Sequence, residues 1–136
     1  MDKRTIGILG LGVFGRSIIN TLRKYNCDII AVDDHEDVIN HFEPILARGV
    51  VGDITDHDLL QAAGIDTCDT VVVATGDNLE SSVLAVMHCK SLGVEKVIAK
   101  VKSKTTRKVL LKVGADRCIS PERETGISLA KNILHQ

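Results

Sequence analysis

Residues Gly10-Leu11-Gly12-Val13-Phe14-Gly15 set three glycines between an apolar run, Ile6 to Leu9, and a segment whose Phe14, Ile18, Leu22 and Tyr25 recur at helical spacing. A strand, a glycine turn and a helix in that order leave few folds open. Gly10 permits the tight turn, Gly12 keeps side-chain atoms away from a pyrophosphate, and Gly15 lets the helix pack closely on the strand. The amides of the helix start then face an anion. A second apolar run, Asp28 to Val32, ends in Asp33, about 20 residues beyond the turn, where an acidic group accepts hydrogen bonds from an adenosine ribose. Asp33 could instead cap the next helix, but Asp34 and Asp37 are free for that. Asp34, next to it, is included with Asp33 at this edge of the site.

The rest of the chain repeats the alternation. A short polar helix is expected from His35 to Phe42, then a third strand, Arg48 to Val51, ending in Gly52-Asp53-Ile54-Thr55. Thr55 and Asp58 have the spacing of a cap for a helix carrying Leu59, Leu60 and Ala63, closed by Gly64. The β-branched run Asp69 to Ala74 reads as a strand buried on both faces, beside the first strand. Thr75-Gly76-Asp77-Asn78 then turns into a helix with Leu79, Val83, Val86 and Met87 on one face. A fifth strand, Lys96 to Val101, a helix opened by Ser103, and a sixth strand, Arg117 to Ser120, complete the series. Hairpin dipeptides are absent, so the strands pair in parallel through right-handed crossovers. The expected fold is α/β: a Rossmann-like, doubly wound, six-stranded parallel sheet. Its ligand crevice lies at the carboxyl ends of the strands, where the order reverses between the first and fourth.

Composition excludes other classes. The chain has 136 residues, room for one core and not for a second substrate-holding domain. Its 17 basic and 18 acidic residues balance to a net charge of -1 without a basic block, and Phe14, Tyr25 and Phe42 are the only aromatics of the Phe, Tyr and Trp class. A nucleic-acid surface or a base-stacking platform is not expected. Cys27, Cys68, Cys89 and Cys118 form no C-x-x-C pair and read as buried thiols of a reducing compartment. No run reaches the length of a membrane span, and the expected location is cytoplasmic without direct membrane insertion.

The chain resembles the nucleotide-binding lobe of the RCK (regulator of K+ conductance) family, also called KTN or TrkA-N. The resemblance rests on G-L-G-V-F-G at 10 to 15, V-D at 32 to 33, G-D-I-T at 52 to 55, V-A-T-G-D-N at 73 to 78, G-A-D at 114 to 116 and S-P-E at 120 to 122. The first two motifs are shared with many dehydrogenases; the later four in this order are more discriminating. Similar proteins are regulatory subunits of bacterial Ktr and Trk potassium-uptake systems, which bind NAD(H) or ATP/ADP and act on a membrane pore partner through a ring. The resemblance implies a cofactor site made of Gly10 to Gly15 (with Leu11, Val13 and Phe14 inside the turn), Asp33 and Asp34. It adds Asp53 and Ile54 near the adenine, and Thr75, Gly76, Asp77 and Asn78. Arg16 and Lys100 are candidate phosphate partners. Glu122 resembles a position where a divalent cation assists ATP binding. A carboxylate at Asp33 disfavours a 2'-phosphate, but does not separate NAD from ATP.

Residues 1–120 are expected to form the lobe and 121–136 a crossover helix. Ile127, Leu129, Ala130, Ile133 and Leu134 cover a roughly 160° arc of that helix and call for a partner, either a second copy or the lobe's own sheet. The resemblance implies a homodimer assembling into a higher ring, an octamer, on an integral-membrane potassium transporter subunit. Family members usually continue into a smaller carboxyl-terminal lobe; the expectation is that its function lies outside this polypeptide or that the chain is a piece of a longer one. The competing reading is the NAD-binding lobe of a dehydrogenase or redox sensor. A dehydrogenase needs a proton donor beside its substrate; His35, His41 and His57 are expected on the far side of the ribose, and Tyr25 in the core. No P-loop is present for a nucleotide hydrolase. The expected role is regulatory and non-enzymatic.

Overall fold

The computed structural model describes residues 3–136. Six strands form one sheet in the order β3-β2-β1-β4-β5-β6, with every neighbouring pair parallel. They are β1 (Arg4–Leu9), β2 (Cys27–Asp33), β3 (Arg48–Val51), β4 (Thr70–Val73), β5 (Lys96–Lys100) and β6 (Arg117–Ile119). Between them run α1 (Val13–Leu22), α2 (Glu36–Phe42), α3 (His57–Ala62), α4 (Leu79–Ser91) and α5 (Lys104–Val113), and α6 (Pro121–Leu134) follows β6. The doubly wound expectation holds, including β4 beside β1.

Because side chains alternate across a strand, a strand covered on both faces must be apolar throughout. Ile6 and Ile8 of β1, Ile29 and Ala31 of β2 and Val72 of β4 point to a core shared with Ile19 of α1 and Ile39 and Phe42 of α2. Their neighbours Leu9, Ile30, Val32, Val71 and Val73 point the other way, against Leu60 of α3, Ala85, Val86 and Cys89 of α4 and Leu110 of α5. Each fully buried Ile or Leu contributes roughly 1.5–3 kcal/mol. Burial pushes the Cys68 and Cys89 thiols up to about 12, which fits core residues rather than reactive ones.

Several local expectations change. Cys27, expected as a buried thiol with the other three cysteines, is only half-buried. The cap of α3 is Asp56, whose carboxylate accepts the Leu59 amide at 3.2 Å, while Thr55 turns back to Asp53. Tyr25 lies beyond the end of α1 and is 68% exposed, not core. On α4 the buried face is Ser82, Ala85, Val86 and Cys89, whereas Leu79 and Met87 are exposed. This helix packs beside α3 and α5 as well as on the sheet, so its inward face takes small residues. Helix α6 buries none of its residues, and Ile127, Leu129, Ile133 and Leu134 are exposed.

Candidate functional site

The chain leaves β1 at Leu9 and turns through Gly10, whose φ of 93° suits glycine. A methyl group on Gly15 would overlap the Gly10 carbonyl oxygen, so the third glycine is required where α1 presses on the turn. A Cβ on Gly12 would meet nothing within 4 Å, because Gly12 borders open space. That space is a crevice of about 400 Å³ at the carboxyl ends of the strands, bounded by Gly10 to Gly12, Asp33, Asp53, Thr75 and Lys100 among others.

The start of α1 is electrostatically unfinished. No side chain caps it and its first turn holds no acidic residue. The other helices differ: Asp56, Asn78 and Ser103 cap α3, α4 and α5, and Glu36 with Asp37, or Glu122 with Glu124, stand in the first turns of α2 and α6. Among the described residues, α1 alone brings its positive dipole end to the crevice with neither a capping side chain nor an acidic residue in its first turn. A phosphate fits there on charge and on space.

Asp33 closes one side. It is 8% exposed, and its Oδ2 accepts the Leu11 amide at 2.6 Å while Oδ1 accepts the His35 amide at 2.8 Å. The His35 ring Nδ1 lies 2.9 Å from the same Oδ1 and 2.7 Å from Asp34 Oδ1. Burial pushes the Asp33 carboxyl up, but the two amides and the histidine outweigh it and hold it below its ordinary value. Asp33 therefore ties the glycine turn to the end of β2 while bordering the crevice. His35, placed on the far side of the ribose by sequence reasoning, belongs to the wall. Its signal was the D-D-H run that leaves β2, readable only once the chain is known to curl back on Asp33.

Farther along, Asp53 Oδ1 accepts the Thr55 amide at 2.9 Å and the Thr55 hydroxyl at 2.8 Å, which lowers its carboxyl. Asp53 and Ile54 border the crevice beyond Asp33, on the β3 side. Opposite them stand Thr75, Asp77 and Asn78, with Asn78 also capping α4 through the Ser81 amide. Asp77 pairs with Lys102 at 2.8 Å, both largely exposed, a weak contact in water. Lys100 borders the crevice, and Gly76 packs against its carbonyl.

Other expected residues stand outside the cavity wall. Val13 is 76% exposed, Phe14 packs into the α1–α2 core, and Arg16 turns its Nε to the Gly12 carbonyl at 3.2 Å. Glu122 lines a separate hollow with Lys102 and Arg123 that meets the crevice at Lys100. Among the described residues, the acidic and histidine groups close enough to share a cation are Asp33, Asp34 and His35, within 4.8 Å of one another. Gly52, Ala74 and Ser81 also line the crevice.

The family model described as the TrkA-N domain matches residues 6–121. The chain is 36% identical over 132 residues to Ktr system potassium uptake protein C of Bacillus subtilis (strain 168), covering 97% of this chain and 60% of that protein. It is 32% identical over 133 residues to Ktr system potassium uptake protein A of the same organism, covering 98% and again 60%. The chain thus spans about 60% of the length of these relatives. Among solved structures, the GsuK channel bound to NAD superposes with a TM-score of 0.72 at 23% identity, covering 87% of this chain and 21% of that one. The likeness to solved structures is one of fold.

Proposed function

Given that this chain belongs to the TrkA-N family, we propose that it is the nucleotide-reading lobe of a regulatory subunit, one that controls potassium flux through an integral-membrane partner. An adenosine nucleotide, NAD(H) or ATP/ADP, lies with its diphosphate at the start of α1, its ribose against Asp33 and its base toward Asp53 and Ile54. The observation that carries this reading is the uncapped, acid-free start of α1 opening on the same crevice as Asp33. Relatives named as potassium uptake proteins and a GsuK channel bound to NAD support it, as does a GsuK structure bound to ADP. Thr75, Asp77, Asn78 and Lys100 form the opposite wall, with Gly76 in the turn behind them, and Arg16 stays a reserve cation for a further phosphate. Glu122, whose hollow adjoins at Lys100, offers the carboxylate for a divalent cation accompanying ATP.

No catalytic role is assigned. His35 is engaged by two carboxylates at the ribose end, away from where a nicotinamide would react. The output is mechanical. Pro121–Leu134 form a helix whose apolar side the lobe leaves exposed, and a second copy covers it, giving a homodimer that builds a higher ring. Two nucleotides that favour different arrangements of paired lobes shift their populations, and full switching takes about 5.5 kcal/mol of differential binding summed over the ring. Among the described residues no helix is long and apolar enough to cross a membrane. The subunit acts from the cytoplasmic side through its partner.

Calorimetric titration of the purified chain with ATP, ADP, NADH, NAD and NADPH, with light scattering on the same samples, tests the proposal. Nucleotide binding by an oligomer without turnover supports it. Binding of NAD(H) alone by a monomer returns the chain to the dehydrogenase-lobe reading, and no binding at all removes the crevice as a nucleotide site.

A further inference from the structure

Helix α4 reaches behind both walls of the crevice. Near its start the buried Ser82 hydroxyl donates to the Thr75 carbonyl at 3.3 Å, on the β4 side. Two turns later His88 Nε2 lies 2.9 Å from the Thr55 carbonyl, on the β3 side. A carbonyl only accepts, so Nε2 carries the hydrogen. The His57 ring stands edge-on to His88, centroids 5.3 Å apart at 79°, and limits its rotation. Thr55 then passes the constraint on: its amide and hydroxyl both hold Asp53 Oδ1. No described residue donates to Asp53 Oδ2, so an exposed residue that borders the crevice keeps one carboxylate oxygen for a ligand.

We propose that His88 is a positioning residue for the nucleobase: through Thr55 it orients the Asp53 carboxylate toward the donor edge of a purine. The inference rests on the nucleotide reading above and adds a residue that touches no ligand. Adenine presents a 6-amino donor, which an acceptor-only carboxylate recognises and a misaligned one does not. Ribose and phosphates meet Asp33 and α1, which His88 does not support. Its removal therefore acts on the base alone.

The test compares ADP with 1,N6-etheno-ADP, which has the same ribose and phosphates but a blocked base edge. Both are titrated into the wild-type chain and the His88→Phe, His88→Asn and His88→Gln variants, with melting temperature followed in parallel. The wild-type chain is expected to prefer ADP. His88→Phe, which keeps a ring without the donor, lowers ADP affinity about five-fold, the worth of one hydrogen bond, and leaves etheno-ADP within about two-fold. His88→Asn is too short to reach Thr55 and gives the same loss should the phenylalanine variant not fold; His88→Gln, whose amide reaches the Nε2 position, restores the preference. Equal loss of both ligands, or an unchanged preference in the phenylalanine and asparagine variants, overturns the proposal. Failure of the wild-type chain to bind either ligand instead overturns the nucleotide reading.

Discussion

At the amino end of β5, Asp116 Oδ2 accepts the Val97 amide at 2.8 Å and the Lys90 ammonium at 3.0 Å. At the carboxyl end of β2, Asp33 accepts the Leu11 and His35 amides and the His35 ring. The groups are alike: a carboxylate, backbone donors and a basic side chain, with both carboxyls held below their ordinary value. What differs is what remains unsatisfied. Lys90 spends its three hydrogens on Asp116 and on the Val94 and Glu95 carbonyls, and Asp69 takes the Thr5 amide at the start of β1. The amino ends are closed by the chain itself. The carboxyl ends keep the open start of α1 beside Asp33. A carboxylate with a basic neighbour is thus no mark of a site until an unfilled donor set stands next to it.

The largest break of this contrast is Gly12→Asp. Aspartate at that position caps α1 and repels a phosphate from it. Nucleotide affinity is expected to fall by about 100-fold, equal to two charge-assisted hydrogen bonds at roughly 1.5 kcal/mol each, while the melting temperature holds or rises. Calorimetry and a thermal melt decide this, and binding that survived would move the phosphates away from α1. Asp33→Asn comes next, at about ten-fold in affinity. It also costs stability, because one carboxylate oxygen meets the Leu11 amide and the other the His35 amide, so the NH2 of asparagine must face one of those donors. A loss of about 1–3 kcal/mol in urea unfolding follows; full affinity in the variant would take Asp33 out of the site.

These two residues were legible in the sequence because their constraints are local. A glycine turn between a strand and a helix admits few backbones, and an acidic residue ending the next strand is carried to the turn by parallel pairing of β1 with β2. Parallel pairing followed from the absence of hairpin dipeptides, and the strand order from the doubly wound fold that such pairing implies. Contacts that depend on how elements pack stayed hidden. His35 joins the wall because the chain doubles back after β2, and Leu79 and Met87 of α4 face solvent because the space between α3, α5 and the sheet admits Ser82 and Ala85 instead. Tyr25 fitted the helical spacing of α1, but the helix had already ended at Leu22. No pattern within either segment alone marks the His88 to Thr55 contact, made across 33 residues.

Lys90→Met probes the closed end. It removes three hydrogen bonds from a half-exposed ammonium, and the net cost is about 1–2 kcal/mol after water takes part of the load. Nucleotide affinity is expected to stay within two-fold of the wild-type chain. A larger change by calorimetry would mean that the two ends of the sheet are coupled and the contrast between them is false.

The smallest effect is a titration. The Asp33 hydrogen bond and the Asp34 and Asp33 charges raise His35 above its ordinary value of 6.5. A group raised on folding stabilises the native state fully below its unfolded value, and that contribution is lost as pH rises through the folded one. Asp33 has the opposite sign: its depressed carboxyl contributes above its unfolded value and loses that contribution as pH falls through the folded one. The clasp between β2 and the glycine turn is therefore strongest on the acid side of the His35 midpoint and above the Asp33 one. Proton NMR of the imidazole is expected to show a midpoint above 6.5 in the wild-type chain. It should move down in Asp33→Asn and stay in place in Lys90→Met. A midpoint indifferent to Asp33 would mean that in solution the ring swings free of the carboxylate, leaving Asp33 more open to a ribose than the folded geometry implies.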